Sequence, residues 1–108
     1  MGYVYLLLEV DKYGDERYKI GISKNEPSKR KAQLQTGNSN KISLLKFYES
    51  KNYKKVEQSL HRRYGNLKTE AKNEWFVLSN EQVMGFHNTC LEADKIITFM
   101  KDNNYFYN

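Results

Sequence analysis

Three consecutive runs decide the fold: Tyr3-Val4-Tyr5-Leu6-Leu7-Leu8-Glu9-Val10, then Asp11-Lys12-Tyr13-Gly14-Asp15-Glu16, then Arg17-Tyr18-Lys19-Ile20-Gly21-Ile22-Ser23. The first mixes aromatic and aliphatic residues of high β-propensity with almost no polar break, the pattern of a strand buried on both faces. Period two puts Tyr3, Tyr5 and Leu7 on one of those faces. The middle run is polar and contains a turn-permissive glycine, and the third is strand-like again, so a β-hairpin is predicted. On its second strand Lys19 and Gly21 share one face, and Tyr18, Ile20 and Ile22 share the other.

Working outward, Asn25-Glu26-Pro27-Ser28 reads as a helix start, because proline is tolerated in the first turn and asparagine can cap free N–H groups. The helix is predicted to end near Thr36-Gly37. Arg30 and Leu34 stand four apart and share a face, which makes Arg30 the member of Lys29-Arg30-Lys31 expected to point toward the sheet. Asn38 to Lys41 reads as a loop and Ile42 to Glu49 as a third strand. From Asn52 to Tyr64, Tyr53, Val56, Leu60 and Tyr64 recur at three- and four-residue steps, an amphipathic helix with Gly65 as its stop. Glu57 and His61 line the edge of its apolar stripe. Glu74 to Leu78 reads as a short strand. Ser79 with Gln82 forms a capping box that opens a last helix over 80–101, with Val83, Phe86, Cys90, Ile97 and Met100 inward. The aromatic tail Tyr105-Phe106-Tyr107 is expected to pack back or fray.

At 108 residues without a Pro-, Gly- or Ser-rich divider, one domain over 1–108 is expected. The single Cys90 cannot form an internal disulfide, and two histidines, His61 and His87, offer no zinc spacing. A reducing, cytoplasmic setting is the expectation. The apolar run at the start is too short to span a bilayer. Charge is segregated: from Lys19 to Lys72 there are 14 Lys and Arg against 4 Asp and Glu, a net of +10, whereas the flanks hold 4 against 9, a net of −5. A basic block of this kind suits a surface that neutralises phosphates, although a solvated lysine-rich face has the same composition.

The ordered set Gly2-Tyr3-Val4-Tyr5, Tyr18-Lys19-Ile20-Gly21, Pro27-Ser28-Lys29-Arg30, Val56-Glu57-Gln58-Ser59-Leu60-His61 and Asn73-Glu74-Trp75-Phe76 closely resembles the small phage-type DNA-binding branch of the GIY-YIG nuclease superfamily. The resemblance covers roughly residues 2–86. Each piece is a weak pattern, but the ordered series is much harder to meet by chance. It implies an α+β, GIY-YIG-type fold with a small, mostly antiparallel sheet of three to four strands flanked by helices.

By that resemblance Tyr5 is the tyrosine that abstracts a proton from, or orients, the attacking water. A phenol ordinarily titrates near ~10, so a neighbouring cation must favour its ionised form. Lys19 stands where the second motif usually has tyrosine; it implies electrostatic stabilisation of the pentavalent phosphate and leaves the proton path open. Arg30 matches the arginine that grips the scissile phosphate, and Glu57 the glutamate that ligates a single Mg2+ or Mn2+. Glu74 is a second candidate ligand. His61 matches a residue that orients the phosphate or assists the leaving group, although a helix-edge histidine capped by Glu57 is an equally good structural account. Gly21 allows a close approach of backbone or ligand. Lys24, Lys29, Arg30, Lys31, Arg62 and Arg63 are the candidate DNA contacts. Trp75 and Phe76 are read as core.

These residues imply a DNA endonuclease that nicks or cleaves phosphodiesters with a metal. The rival is a non-cleaving DNA-binding module on the same fold, favoured by lysine at position 19. A protein-interaction scaffold is the third class, distinguishable by the absence of salt-dependent DNA binding.

Overall fold

In the computed structural model, which describes residues 1–67 and 75–103, the predicted hairpin is formed by β1 (Gly2–Val10) and β2 (Glu16–Ser23). Its turn is built by Asp11: the side-chain oxygen accepts from the N–H groups of Tyr13 and Asp15, and Gly14 adopts φ 83°. That left-handed backbone is the reason for a glycine at the tip. Helix α1 (Pro27–Gln35) follows with proline in its first turn. Its cap is Glu26 rather than Asn25, accepting from the Ser28 N–H. The Ser28 hydroxyl donates to the same carboxylate, and these bonds hold Glu26 below the usual carboxylate range. The helix ends at Thr36, and Gly37, at φ 76°, turns the chain.

β3 (Lys41–Ser50) pairs with the far side of β1, and β4 (Trp75–Phe76) pairs with β2. The sheet order is β3-β1-β2-β4, every pair antiparallel. A register shift between Leu6 and Leu7 marks a bulge in β3. Four antiparallel strands flanked by helices is the α+β class that the sequence predicts. The fourth strand is shorter than the predicted 74–78, and Glu74 and Asn73 lie outside the described residues, as do Tyr105, Phe106 and Tyr107.

α2 (Tyr53–Arg63) matches its prediction, with Tyr64 as its C-cap directly before Gly65, and a single 3-10 turn, Gly65–Leu67, follows. The predicted last helix divides at Gly85 into α3 (Asn80–Met84) and α4 (Phe86–Asp102). The capping box of Ser79 and Gln82 is present in full. The periodic stripe of Val83 and Phe86 spans the break, so apolar spacing alone could not reveal it; the weak helix propensity of glycine could.

Alternation in β1 divides the interior. Val4 and Leu6 join Tyr18, Ile20, Val56, Leu60, Phe76, Phe86, Cys90 and Ile97 in the large core under α2 and α4. Tyr5 and Leu7 look the other way, with Ile42 and the half-buried Leu34 and Leu44. α1 is therefore held mainly by Pro27 and Leu34, while α2 and α4 each bury three or more side chains. At roughly 1.5–3 kcal/mol per fully buried large apolar side chain, α1 is the lightly attached helix. No helix among the described residues is long and apolar enough to cross a membrane.

Candidate active site

Tyr5 and Gly21 are direct partners across the hairpin. The Tyr5 phenol leans over β2 and fills the place of the side chain that Gly21 lacks: a Cβ there would collide with its hydroxyl and ring. This is the close approach expected of Gly21, and the approaching group is Tyr5 itself. Tyr5 is only 2% exposed. Lys19, opposite Leu7 and on the same face, is 7% exposed, with its ammonium 5.7 Å from the centre of the Trp75 ring. An aliphatic stem packed on the sheet and a cation over an indole face account for burying a lysine here.

His61 approaches from the outer edge of β2. Among the described residues β4 pairs with Tyr18 and Lys19 only; at the next residue, Ile20, the backbone carbonyl accepts from His61 Nε2 at 2.8 Å. The imidazole also meets Phe76 edge-on, with ring centres 5.1 Å apart. A carbonyl acceptor fixes the proton on Nε2, so the ring is oriented by the sheet backbone. Glu57, half-buried, stands one helical turn earlier on α2. The Tyr5 phenol therefore leans toward the strand whose outer edge carries His61.

Arg30 behaves differently from its prediction. It is exposed, and its guanidinium donates to Gln33 Oε1 at 3.4 Å instead of turning toward the sheet. Lys31 is the partly buried member of Lys29-Arg30-Lys31, one turn before the half-buried Leu34. Lys24, Lys29, Arg62 and Arg63 are all exposed. Since α1 and α2 pack on opposite faces of β1, the predicted DNA contacts fall on both sides of the sheet. Arg62 and Arg63 at the end of α2 also suit the negative end of its dipole.

A network next to the site was missed in the sequence. Glu9, 2% exposed, accepts from Arg17 Nε at 2.6 Å, Asn38 Nδ2 at 3.1 Å and Asn40 Nδ2 at 3.3 Å, and Arg17 Nη2 lies 2.5 Å from the same carboxylate. The Arg17 guanidinium also stacks over Trp75, 4.3 Å from the ring centre. Glu9, Arg17, Lys19 and Trp75, with Leu34, Asn38 and Ile42, line an open cleft of about 890 Å3 between the sheet and the end of α1. The signal was available: Glu9 continues the Tyr3, Tyr5, Leu7 alternation, and Arg17 continues that of Lys19 and Gly21.

Of the two predicted metal ligands, Glu57 lies within the described residues and Glu74 does not. Among the described residues no three His, Cys, Asp or Glu side chains gather as a cage. A carboxylate such as Glu57 is a donor that fits Mg2+, which keeps most of its water and needs one or two carboxylates.

The sequence pattern of the T5orf172 domain matches residues 2–90, from the first strand into α4. No match is found among curated proteins or among solved structures. The chain belongs to the T5orf172 domain family, a phage-associated group of nuclease-like domains.

Proposed function

We propose that this chain is a metal-dependent DNA endonuclease of the GIY-YIG type, nicking or cleaving phosphodiesters at the β1–β2 face. The observation that carries the reading is the interlock of Tyr5 with Gly21, beside Lys19 and on the strand whose outer edge is capped by His61. A buried phenol held by a glycine gap has one position, as a group that must meet a reacting water needs. In the hydrolysis the water oxygen adds to phosphorus, its proton passes to the ionised Tyr5 oxygen, the P–O bond to the leaving group breaks, and the departing oxygen takes up a proton to leave as the alcohol. Lys19 supplies positive charge beside Tyr5 in a site largely shielded from water, where charge acts most strongly. With Nε2–H committed to Ile20, His61 in its imidazolium form has an Nδ1–H that gives the departing oxygen its proton. Glu57 is the residue that would hold Mg2+ or Mn2+, with Glu74 as a second ligand. When bound, such an ion stabilises charge on the phosphoryl oxygens. Arg30, Lys24, Lys29 and Lys31 on the α1 side and Arg62 and Arg63 on α2 grip the flanking phosphates.

The second reading, a DNA-binding module that does not cut, is favoured by lysine at position 19 and by the outward Arg30. Nicking of supercoiled plasmid separates the two. Wild type should nick with Mg2+ or Mn2+ and stop with a chelator, and Glu57→Ala should be slower by about a hundredfold or more. Equal nicking by both proteins, or none by either while both bind DNA, would leave the non-cleaving module.

A further inference from the structure

The strand register gathers one end of the sheet. Tyr3 faces Ser23 and Gly2 faces Ser50, so the chain enters Lys24 and α1 on one side, and Lys51 and α2 on the other, at the same end. There Lys51, Lys54, Lys55 and Lys101, with Asn52 and Tyr53, line a shallow cleft of about 290 Å3. Lys101 comes from the last turn of α4, and its Nζ donates to Asn52 Oδ1 at 2.6 Å. Lys51 and Lys54 are exposed, and neither is ion-paired with a carboxylate among the described residues.

Helix formation does not account for this cluster. The first turn of α2 has no acidic residue and carries Lys54 and Lys55, the unfavourable sign for a helix start. Asn52 is 3% exposed and sits at the cap position without capping. Its amide donates to Asp94 at 2.7 Å and Thr98 at 3.1 Å, and its oxygen serves Lys101. Cations from two distant parts of the chain, 51–55 and the end of α4, are thus held around one cleft, and the Asn52 side chain that would cap the helix is committed to fixing one of them.

We propose that this cleft binds a backbone phosphate of DNA, a contact separate from the scissile phosphate and on the opposite face of the sheet from α1. The inference rests on the DNA reading above and adds a second anchoring point to it. Glu26 and Glu49 both act on the Tyr3 phenol, which places carboxylates at this end on the α1 side. They repel the backbone there, so the α1 cations and the lysine cleft act as two separate grips.

The test is fluorescence anisotropy of a labelled duplex titrated at KCl from about 50 to 200 mM, the range over which counterion release is steep. The exposed double variant Lys51→Gln/Lys54→Gln is compared with wild type and with Lys41→Gln, an exposed lysine at the other end of the sheet. The cleft predicts weaker binding and a slope of log affinity against log salt shallower by about 0.9 for the double variant, with Lys41→Gln unchanged. An unchanged slope in the double variant, or an equal change in Lys41→Gln, overturns the cleft while leaving DNA binding in place. A wild type that binds no duplex overturns both readings.

Discussion

At position 21 the missing side chain has a specific replacement, the phenol of Tyr5. Gly21→Ala should therefore act as overpacking, lowering stability by about 1–3 kcal/mol in urea denaturation. In a Tyr5→Leu background the same change should cost less by at least ~0.5 kcal/mol, since the two side chains compete for one space. Equal costs in both backgrounds would mean that the phenol does not fill the gap. The nearby charges follow the same logic of occupied space. Glu9 is buried because Arg17, Asn38 and Asn40 satisfy it, and Arg17 in turn lies flat on Trp75.

At the level of elements, α4 is fastened to the end of β3 and the start of α2 through one carboxylate. Asp94 accepts from Tyr48 and Ser50 at 2.7 Å each and from Asn52 at 2.7 Å. Burial opposes its ionisation, but the bonds from Asn52, Ser50 and Tyr48 and the charge of Lys101 outweigh it and hold the carboxyl below its usual range. Burial, and then the bond to Asp94, pushes the Tyr48 phenol up. With its folded pKa below the unfolded one, Asp94 contributes stability that is full above the ordinary carboxylate range. That contribution is lost as pH falls through the lower folded value. Asp94→Asn should cost about 2 kcal/mol at neutral pH and flatten the fall in stability between neutral pH and about pH 3, read by denaturation across pH. An unchanged acid profile would show that the network carries no linked proton. α1 has no buried carboxylate of this kind: Pro27 and Leu34 pack it, and Gln35 ties its end to β3 by accepting from the Ile42 N–H at 2.8 Å and donating to the Asn40 carbonyl at 2.8 Å.

Over the whole molecule, charge is sorted along the strands. The hairpin end carries Asp11, Asp15 and Glu16 against Lys12 and Lys41, and the opposite end carries Lys24, Lys29, Lys51, Lys54 and Lys101 against Glu26 and Glu49. A duplex approaching this dipolar surface is steered to the basic end. On the DNA reading, with about four phosphate contacts, from Lys24, Lys29, Arg30 and the lysine cleft, affinity should fall on the order of a hundredfold between about 50 and 200 mM salt. A salt-insensitive affinity would point to a scaffold for protein contacts instead.

The order of elements was legible in the sequence because alternation in Tyr3 to Val10 and the three- and four-residue spacing from Tyr53 to Tyr64 are local properties of the chain. The pairing of Lys19 and Gly21 on one face was equally legible, since period two requires it. What only the tertiary structure decided was orientation and company. Arg30 is exposed and donates to Gln33 while Lys31 is partly buried, a choice of side that spacing within the helix does not determine. Lys101, in an acidic flank of the sequence, joins the basic cleft because α4 packs back on α2 and Asn52 holds its ammonium. Charge along a chain is fixed by the residues, but the field a ligand meets is set by which distant residues packing brings to one end.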